Sequence, residues 1–445
     1  MDLRIFQSFK KMLKLLSLNI LRIVVKTHLS KLLIYLFLRF TYFDKRENQK
    51  NTQNVLLILN RERFKHDLES LRNDQRVKLL ILPSRIQTLI NSLFLDTDKS
   101  YLVDSYINSP PEVEELLSFV SKFILALDKK YNLNAILTCS FYYRQDFPYQ
   151  FSYSKTNIPF YALFKEYLKD DCTYDATVKR YKERGYKFKG KSIFCANKII
   201  RDILLEANIC EENQMSIVGS PRFDLLHGKT HDVQSSEHKI VTLFSFLHSS
   251  GGLEVNDNVL EGNFFSNNKN KGFYNLFEQV HVSIAELALK YPEKTFFIKS
   301  KWGGLWHEKI ISIVLESSGI DITQMDNVIL DYKENAQSLI KRSSVVIAFN
   351  STTVIEASLL KKNVVLPIFC EAKEKYFNTN VLYKEFLDSL IVASSKEDLK
   401  DKIMNYAKEE DYNRIPEKMV KKFIHLNDGK SGERIVDEIL QKNRN

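Results

Sequence analysis

Short uninterrupted apolar runs, each handing over to an amphipathic stretch, recur along most of this chain and restrict the folds open to it. NVLLILN (54–60), KLLILPS (78–84), NAILTCS (134–140), IPFYALF (158–164) and KSIFCAN (191–197) read as strands. RFKHDLESLRN, VEELLSFVSKFILALDKKY and KIIRDILLEAN read as helices among them. A strand that is apolar at consecutive positions has both faces buried, and helices alternating with such strands cover both faces of a parallel sheet.

The alternation stops after SIVGSPRFDLL (216–226), where HGKTHDVQSSEHK is polar and aperiodic, as a linker is. It then restarts with strand KIVTLFSFL (239–247), a polar loop containing NNKNKG, and helix YNLFEQVHVSIAELALKY. Strands TFFIKSK (295–301) and NVILD (327–331) come next, then helix NAQSLIKR. Strand SVVIAF (344–349), a helix from Thr353 and strand NVVLPIF (363–369) follow. A chain of 445 residues exceeds one ordinary core. The expectation is an α/β protein of two Rossmann-like domains, 51–228 and 238–445, facing a cleft lined by the carboxyl ends of strands.

Residues 1–50 form a separate extension that carries +8 of the formal +10 charge. It is also strongly apolar, in MLKLLSLNILRIVV and KLLIYLFLRFTYF. Lys14, Arg22, Lys26, Lys31 and Arg39 prevent any run of about 18 uncharged apolar residues, and no small-residue cleavage site follows. A basic apolar helix of this kind lies in the interface of an anionic membrane leaflet, so residues 1–45 are expected to meet such a surface. The alternative is a helix pair packed on the protein itself. Because the basic charge is not woven into the domains, no nucleic-acid partner is expected. The five scattered cysteines have no C-x-x-C spacing, which favours a reducing compartment and neither a disulfide framework nor a zinc site.

In VIAFNSTTVIEASLLKKNVVLP (346–367), three hydroxyl residues, Ser351, Thr352 and Thr353, stand where a buried strand meets a helix. Thr353 and Glu356 have capping-box spacing. That accounts for one hydroxyl and one carboxylate. A helix start after a strand also offers free amides and partial positive charge to an anion, which the three hydroxyls would supplement. In FFIKSKWGG (296–304), Lys299 and Lys301 end an apolar strand and their spacing points both to one face, where they would offset a diphosphate. Trp302 and Trp306 either pack or stack on a ligand. In GSPRFD (219–224), Arg222 and Asp224 either pair across a hinge or face a ligand. FKEYL (164–168) places Lys165 and Glu166 after a strand, with Glu166 a candidate general base and Asp146, in RQDFPY, its rival. Asp96-Thr97-Asp98 has metal-type spacing without a supporting cluster and reads as solvated loop. The absence of G-x-S-x-G, H-E-x-x-H, Walker and G-x-G-x-x-G patterns disfavours hydrolase, metalloprotease, P-loop and dinucleotide chemistry.

Through IPFYALFKE, IVGSPRFDLL, FFIKSK and VIAFNSTTVIEASLLKKNVVLP, in that order across roughly 54–400, the chain resembles GT-B-fold glycosyltransferases of bacterial surface-carbohydrate biosynthesis, such as capsule and lipopolysaccharide. CDP-glycerol glycerophosphotransferases are related, and nucleotide-sugar epimerases share the fold more remotely. The resemblance implies a metal-independent enzyme without cofactor, moving a sugar from a nucleotide-sugar donor to a growing surface polysaccharide or lipid-linked glycan. It implies a peripheral position at the cytoplasmic face of the plasma membrane. Ser351, Thr352 and Thr353 would hold the donor diphosphate, with Glu356 near the donor sugar or ribose. Lys299 would assist with charge, and Ser220 and Arg222 would border the cleft. The K-x-H-P strand end common in relatives reads KSKWGG here, so Lys301 would stand in for the histidine. The alternatives are a glycerol- or ribitol-phosphate transferase on the same fold and a non-catalytic nucleotide- or glycan-binding membrane scaffold.

Overall fold

The structure, a computed structural model, describes residues 21, 24–25, 30–44, 52–95, 111–143, 145–227, 240–246, 272–408, 412 and 414–441. The chain divides into two compact units. The first comprises Met1–Tyr167, Val178–Leu225 and Ile424–Asn445; the second comprises Leu168–Thr177 and Leu226–Phe423. The ranges 51–228 and 238–445 do not contain this exchange of segments. Its physical cause in the first unit is helix Ser431–Gln441, whose Ile435, Val436 and Ile439 are fully buried in the cluster that holds Leu56, Ile58, Leu79 and Leu137. In the second, Asp170 is buried, accepts the amide of Tyr383 at 3.0 Å and pairs with Lys422 at 2.7 Å.

Among the described residues the first unit is built on seven strands: β1 (Tyr42–Phe43), β2 (Asn54–Ile58), β3 (Val77–Ile81), β4 (Leu133–Thr138), β5 (Phe160–Leu163), β6 (Ser192–Cys195) and β7 (Met215–Ile217). Their order is β1-β3-β2-β4-β5-β6-β7, parallel throughout except for β1, which runs antiparallel to β3. The apolar runs of the sequence are these strands, and β5 and β6 are buried at every position. The two-residue β1 comes from the N-terminal extension and is too short to leave a sequence pattern.

The second unit holds β8 (Ile240–Phe244), β9 (Thr295–Lys299), β10 (Val328–Asp331), β11 (Ser343–Ala348), β12 (Asn363–Pro367) and β13 (Ile391–Ala393). All pairs are parallel, in the order β10-β9-β8-β11-β12-β13. Two βαβ series thus diverge from the first strand. Between β8 and β11 the order reverses, the position at which open sheets of this kind leave a crevice at their carboxyl ends. In the first sheet the corresponding reversal lies between β2 and β4.

Helix Ser30–Leu38, within the extension, buries Leu33, Ile34, Phe37 and Leu38. Phe37 meets Phe119 of helix Pro111–Tyr131 edge-on at 6.3 Å. This stretch therefore packs on the first unit, while residues 1–20 lie outside the described residues. No helix among the described residues is long and apolar enough to cross a membrane. Asp96-Thr97-Asp98, the linker from 228 to 239 and the NNKNKG loop up to residue 271 also lie outside the described residues.

Candidate functional site

In the second unit the Ser351-Thr352-Thr353 turn follows β11 directly, on the β11 side of the strand-order reversal. Asn350 makes the turn by adopting a left-handed φ of 47°. Its side chain is held at both ends: its amide donates to the carbonyl of Asn380 at 2.7 Å, and its oxygen accepts Leu382 N–H at 2.9 Å. The Tyr383 hydroxyl donates to the carbonyl of Ser351 at 2.8 Å. A strained backbone position held by three bonds defines where the hydroxyls stand.

The helix begins at Thr353 with Thr352 as its cap residue, one position earlier than the capping-box reading required. Glu356 does not return to the cap nitrogen; its carboxylate accepts the Thr352 hydroxyl at 3.0 Å. The physical reason is that Ser351 Oγ already takes the Thr353 amide at 3.2 Å, and donates to Thr353 Oγ1 at 3.0 Å. The amides of Ser351 and Thr352 make no hydrogen bond among the described residues. The turn thus combines two open amides with hydroxyls whose orientation is fixed by one another and by a buried carboxylate.

Lys299 ends β9, which is paired with β8. Its ammonium donates to the carbonyls of Tyr332 at 2.6 Å and Ser300 at 3.0 Å, tying the ends of β9 and β10 together. Because the strand stops there, strand alternation does not carry Lys301 to the same face. Lys301 is exposed and lies over the Trp302 ring, 5.1 Å from its centre. Trp306 is buried while Trp302 is exposed, and the two rings meet edge-on at 5.6 Å.

The sequence reading missed His307. The strand end KSKWGG lacks a histidine at the position common in relatives, but the Gly303-Gly304 turn leads into a helix whose first turn carries His307 back to the end of β9. Ser300 donates its hydroxyl proton to the Trp302 carbonyl at 2.7 Å, so its oxygen accepts from His307 Nε2 at 2.7 Å. Burial, with the Lys299 charge beside it, lowers the His307 pKa and outweighs the opposing pull of Asp331. The available signal was a glycine pair followed by a histidine three residues later. Among the described residues no group of three or more His, Cys, Asp or Glu could hold a metal ion.

In the first unit the structure gathers three of the expected residues at the carboxyl ends of β2, β4 and β5. Asp146 is buried and accepts the side-chain amide of Asn60 and, at 2.7 Å, the hydroxyl of Thr138. Burial pushes its carboxyl up to about 7, against the opposing effects of Thr138, Arg63 and Asn60. It therefore ties the ends of β2 and β4 together from inside. Glu166, half-exposed, accepts the Tyr143 hydroxyl at 2.8 Å, and Lys165 lies 3.6 Å from the same carboxylate. Lys165 also donates to the carbonyl of Arg63 at 3.3 Å. Of the two carboxylates, Glu166 is the one that a substrate hydroxyl could reach.

Ser220 and Arg222 are not part of that cluster. Ser220 is buried and donates to the Tyr167 hydroxyl at 3.1 Å. Arg222 sits half-buried on the short helix Pro221–Asp224. Asp224 does not pair with Arg222. It accepts Ser70 Oγ at 2.6 Å and the amides of Ser431 and Gly432 at 3.0 and 2.7 Å, so GSPRFD seats the C-terminal helix.

No protein-family model and no curated protein sequence matches the chain. Among solved structures, the UDP-GlcNAc 2-epimerase of Methanocaldococcus jannaschii is similar with a TM-score of 0.50 at 14% identity, over 87% of this chain and 99% of the epimerase. A glycosyltransferase from Rickettsia africae matches at 0.46 and 14% identity, over 88% and 99%. A single-residue variant of the wall teichoic acid polymerase TagF matches at 0.46 and 12% identity, over 100% and 98%. The fold is α/β with two Rossmann-like units, the GT-B type.

Proposed function

We propose that this protein is a glycosyltransferase that binds a nucleotide-sugar through its second unit and an acceptor through its first. The observation that carries the reading is the position of the Ser351-Thr352-Thr353 turn at the strand-order reversal of a β10-β9-β8-β11-β12-β13 sheet. Open amides, fixed hydroxyls and a helix start are the groups a diphosphate needs, and the reversal is where such sheets admit ligands. The similar epimerase of M. jannaschii is named for a nucleotide-sugar, which supports that choice of donor. Glu356 lies one hydrogen bond behind the turn and would sense the donor ribose or sugar through Thr352. In the first unit Glu166 would take the proton from the acceptor hydroxyl as it attacks the donor sugar's anomeric carbon. The bond to the nucleoside diphosphate then breaks, and the departing charge is met by the turn.

Transfer of a polyol phosphate from a CDP-alcohol is the second reading, and it is separated by product: CMP instead of a nucleoside diphosphate. The test is thermal stabilisation by UDP-GlcNAc, other nucleotide-sugars and CDP-glycerol, since a ligand bound only by the folded state stabilises it by mass action. A donor should raise Tm in the wild-type chain and fail to do so when Ser351, Thr352 and Thr353 are alanine. Equal stabilisation of both chains would remove the diphosphate site. Glu166→Gln should leave that stabilisation intact and lower acceptor-dependent turnover by about 10²-fold or more.

Association with an anionic membrane through the basic N-terminus belongs to the same proposal. Helix Ser30–Leu38 is part of the first unit's packing, so removal of residues 1–20 is the informative deletion. The shortened chain should no longer float with phosphatidylglycerol vesicles.

A further inference from the structure

Three adjacent strands of the first sheet, β2, β4 and β5, bring two cations, a phenol and a carboxylate to one place. After β2, Asn60 adopts a left-handed φ of 51° and the turn Arg61–Arg63 follows. Asn60 is buried and tied to Asp146, which is tied in turn to Thr138 at the end of β4. The course of the turn that presents Arg63 is therefore fixed from below. The Arg63 guanidinium lies over the Tyr143 ring, 4.6 Å from its centre, and Lys165 Nζ is 5.7 Å from the same centre. Tyr143 meets Tyr142 edge-on at 5.2 Å, and Tyr142 stacks on Tyr186 at 5.3 Å with an interplanar angle of 18°. The platform under the cations is a packed aromatic group, not a single mobile ring.

Packing alone explains the stacking but not the charge. Lys165 has Glu166 at 3.6 Å. Arg63 forms no ion pair with any described carboxylate, although it is exposed and stands within electrostatic reach of Asp146. A guanidinium carries its five N–H donors in one plane, a fork that matches a planar pair of anionic oxygens. A surplus positive charge with open donors, next to a carboxylate suited to removing a proton, fits a ligand that carries an anion close to a hydroxyl.

On the transferase reading given above, we propose that the first unit accepts a phosphate-bearing acceptor: Arg63 and Lys165 hold the phosphate, Tyr143 supports them, and Glu166 faces the neighbouring hydroxyl. The acceptor is then not a neutral glycan end. Its phosphate belongs either to a soluble or glycan-borne phosphoester or to a lipid headgroup.

The full-length chain is titrated calorimetrically with glucose 6-phosphate, inorganic phosphate and glucose. Variants are Arg63→Gln, Lys165→Gln and the Ser351→Ala/Thr352→Ala pair. Glucose 6-phosphate is expected to bind the wild-type chain, glucose is not, and Arg63→Gln should weaken the phosphoester at least about tenfold. The Ser351/Thr352 pair should leave phosphoester binding unchanged. Arg63→Gln should leave the nucleotide-dependent rise in Tm unchanged, so loss of the donor site and loss of the acceptor site are read separately. Titration with a soluble short-chain phosphatidylglycerol identifies the source: binding that depends on Arg63 points to a lipid headgroup, and no such binding alongside glucose 6-phosphate binding points to a phosphoester of a glycan or small molecule. The proposal is overturned if no phosphoester binds, if Arg63→Gln and Lys165→Gln bind it as the wild-type chain does, or if binding disappears only in the Ser351/Thr352 variant.

Discussion

At the end of β8, the Ser245 hydroxyl makes two hydrogen bonds whose directions can be deduced. The Phe277 carbonyl can only accept, so His281 donates to it from Nδ1 at 2.6 Å, and Nε2 must accept from the Ser245 hydroxyl at 2.9 Å. The lone pair of Ser245 takes the Trp306 indole N–H at 3.0 Å. This is a serine beside a histidine without nucleophilic meaning, because every polar atom is occupied in holding the β8 end to two helices. Ser245→Ala would leave a buried imidazole nitrogen and an indole N–H unmatched, at about 1–3 kcal/mol for each group. Chemical denaturation of the variant should therefore show a loss above about 1 kcal/mol; an unchanged midpoint would show the network contributes nothing. None of this was legible in the sequence, where Ser245, His281 and Trp306 are far apart and of ordinary type. Lys299 is the converse case: it was legible as a strand-end cation, but its use on the Tyr332 and Ser300 carbonyls depends on β10 lying alongside.

Elements show the same division. Strands buried on both faces leave continuous apolar runs, so those of both sheets could be read directly, while the short β1 and β13 could not. The Ser/Thr turn was legible because its chemistry is local to a few consecutive residues. Helix Ser431–Gln441 has an apolar stripe that says it packs, but not on what. The answer lies in Asp224, 207 residues away from Ser431 in the chain. Its carboxylate caps two open amides at the helix start, where the macrodipole also favours negative charge. Arg434 adds a bond to the Val218 carbonyl at 2.9 Å. Gly432 permits the approach, since a Cβ there would collide with Ser70 Oγ. Hydrogen bonds to a charged group are worth about 1.5–3 kcal/mol each, so Asp224→Ala should lower the first unit's stability by about 3 kcal/mol. Urea unfolding followed by circular dichroism checks this, and a loss below about 1 kcal/mol would remove Asp224 as the anchor.

At the scale of the whole molecule, each unit buries one group whose shifted pKa links folding to pH, and the two links have opposite sign. In the first, burial holds the Asp146 carboxyl at about 7 against an ordinary 3.8. Between those values the folded unit keeps a proton that the unfolded chain has released, so its stability falls as pH rises through that window. In the second, burial lowers His281 to about 4 from 6.5, despite its bond to Phe277. Here the unfolded chain takes up a proton that the folded unit refuses, so stability falls as pH drops from 6.5 towards 4. Each pKa unit is worth on the order of 1.4 kcal/mol, enough in either case to move a melting transition by several degrees. Acidification from about pH 7 to about pH 5 should therefore raise the transition that contains the first sheet and lower the one that contains the second. Calorimetry at the two pH values measures the change in their separation, and variants assign it. Asp146→Asn should flatten the pH response of the first transition alone, and His281→Gln that of the second alone. A single transition with the same pH slope in both variants would mean that neither buried group sets the acid response.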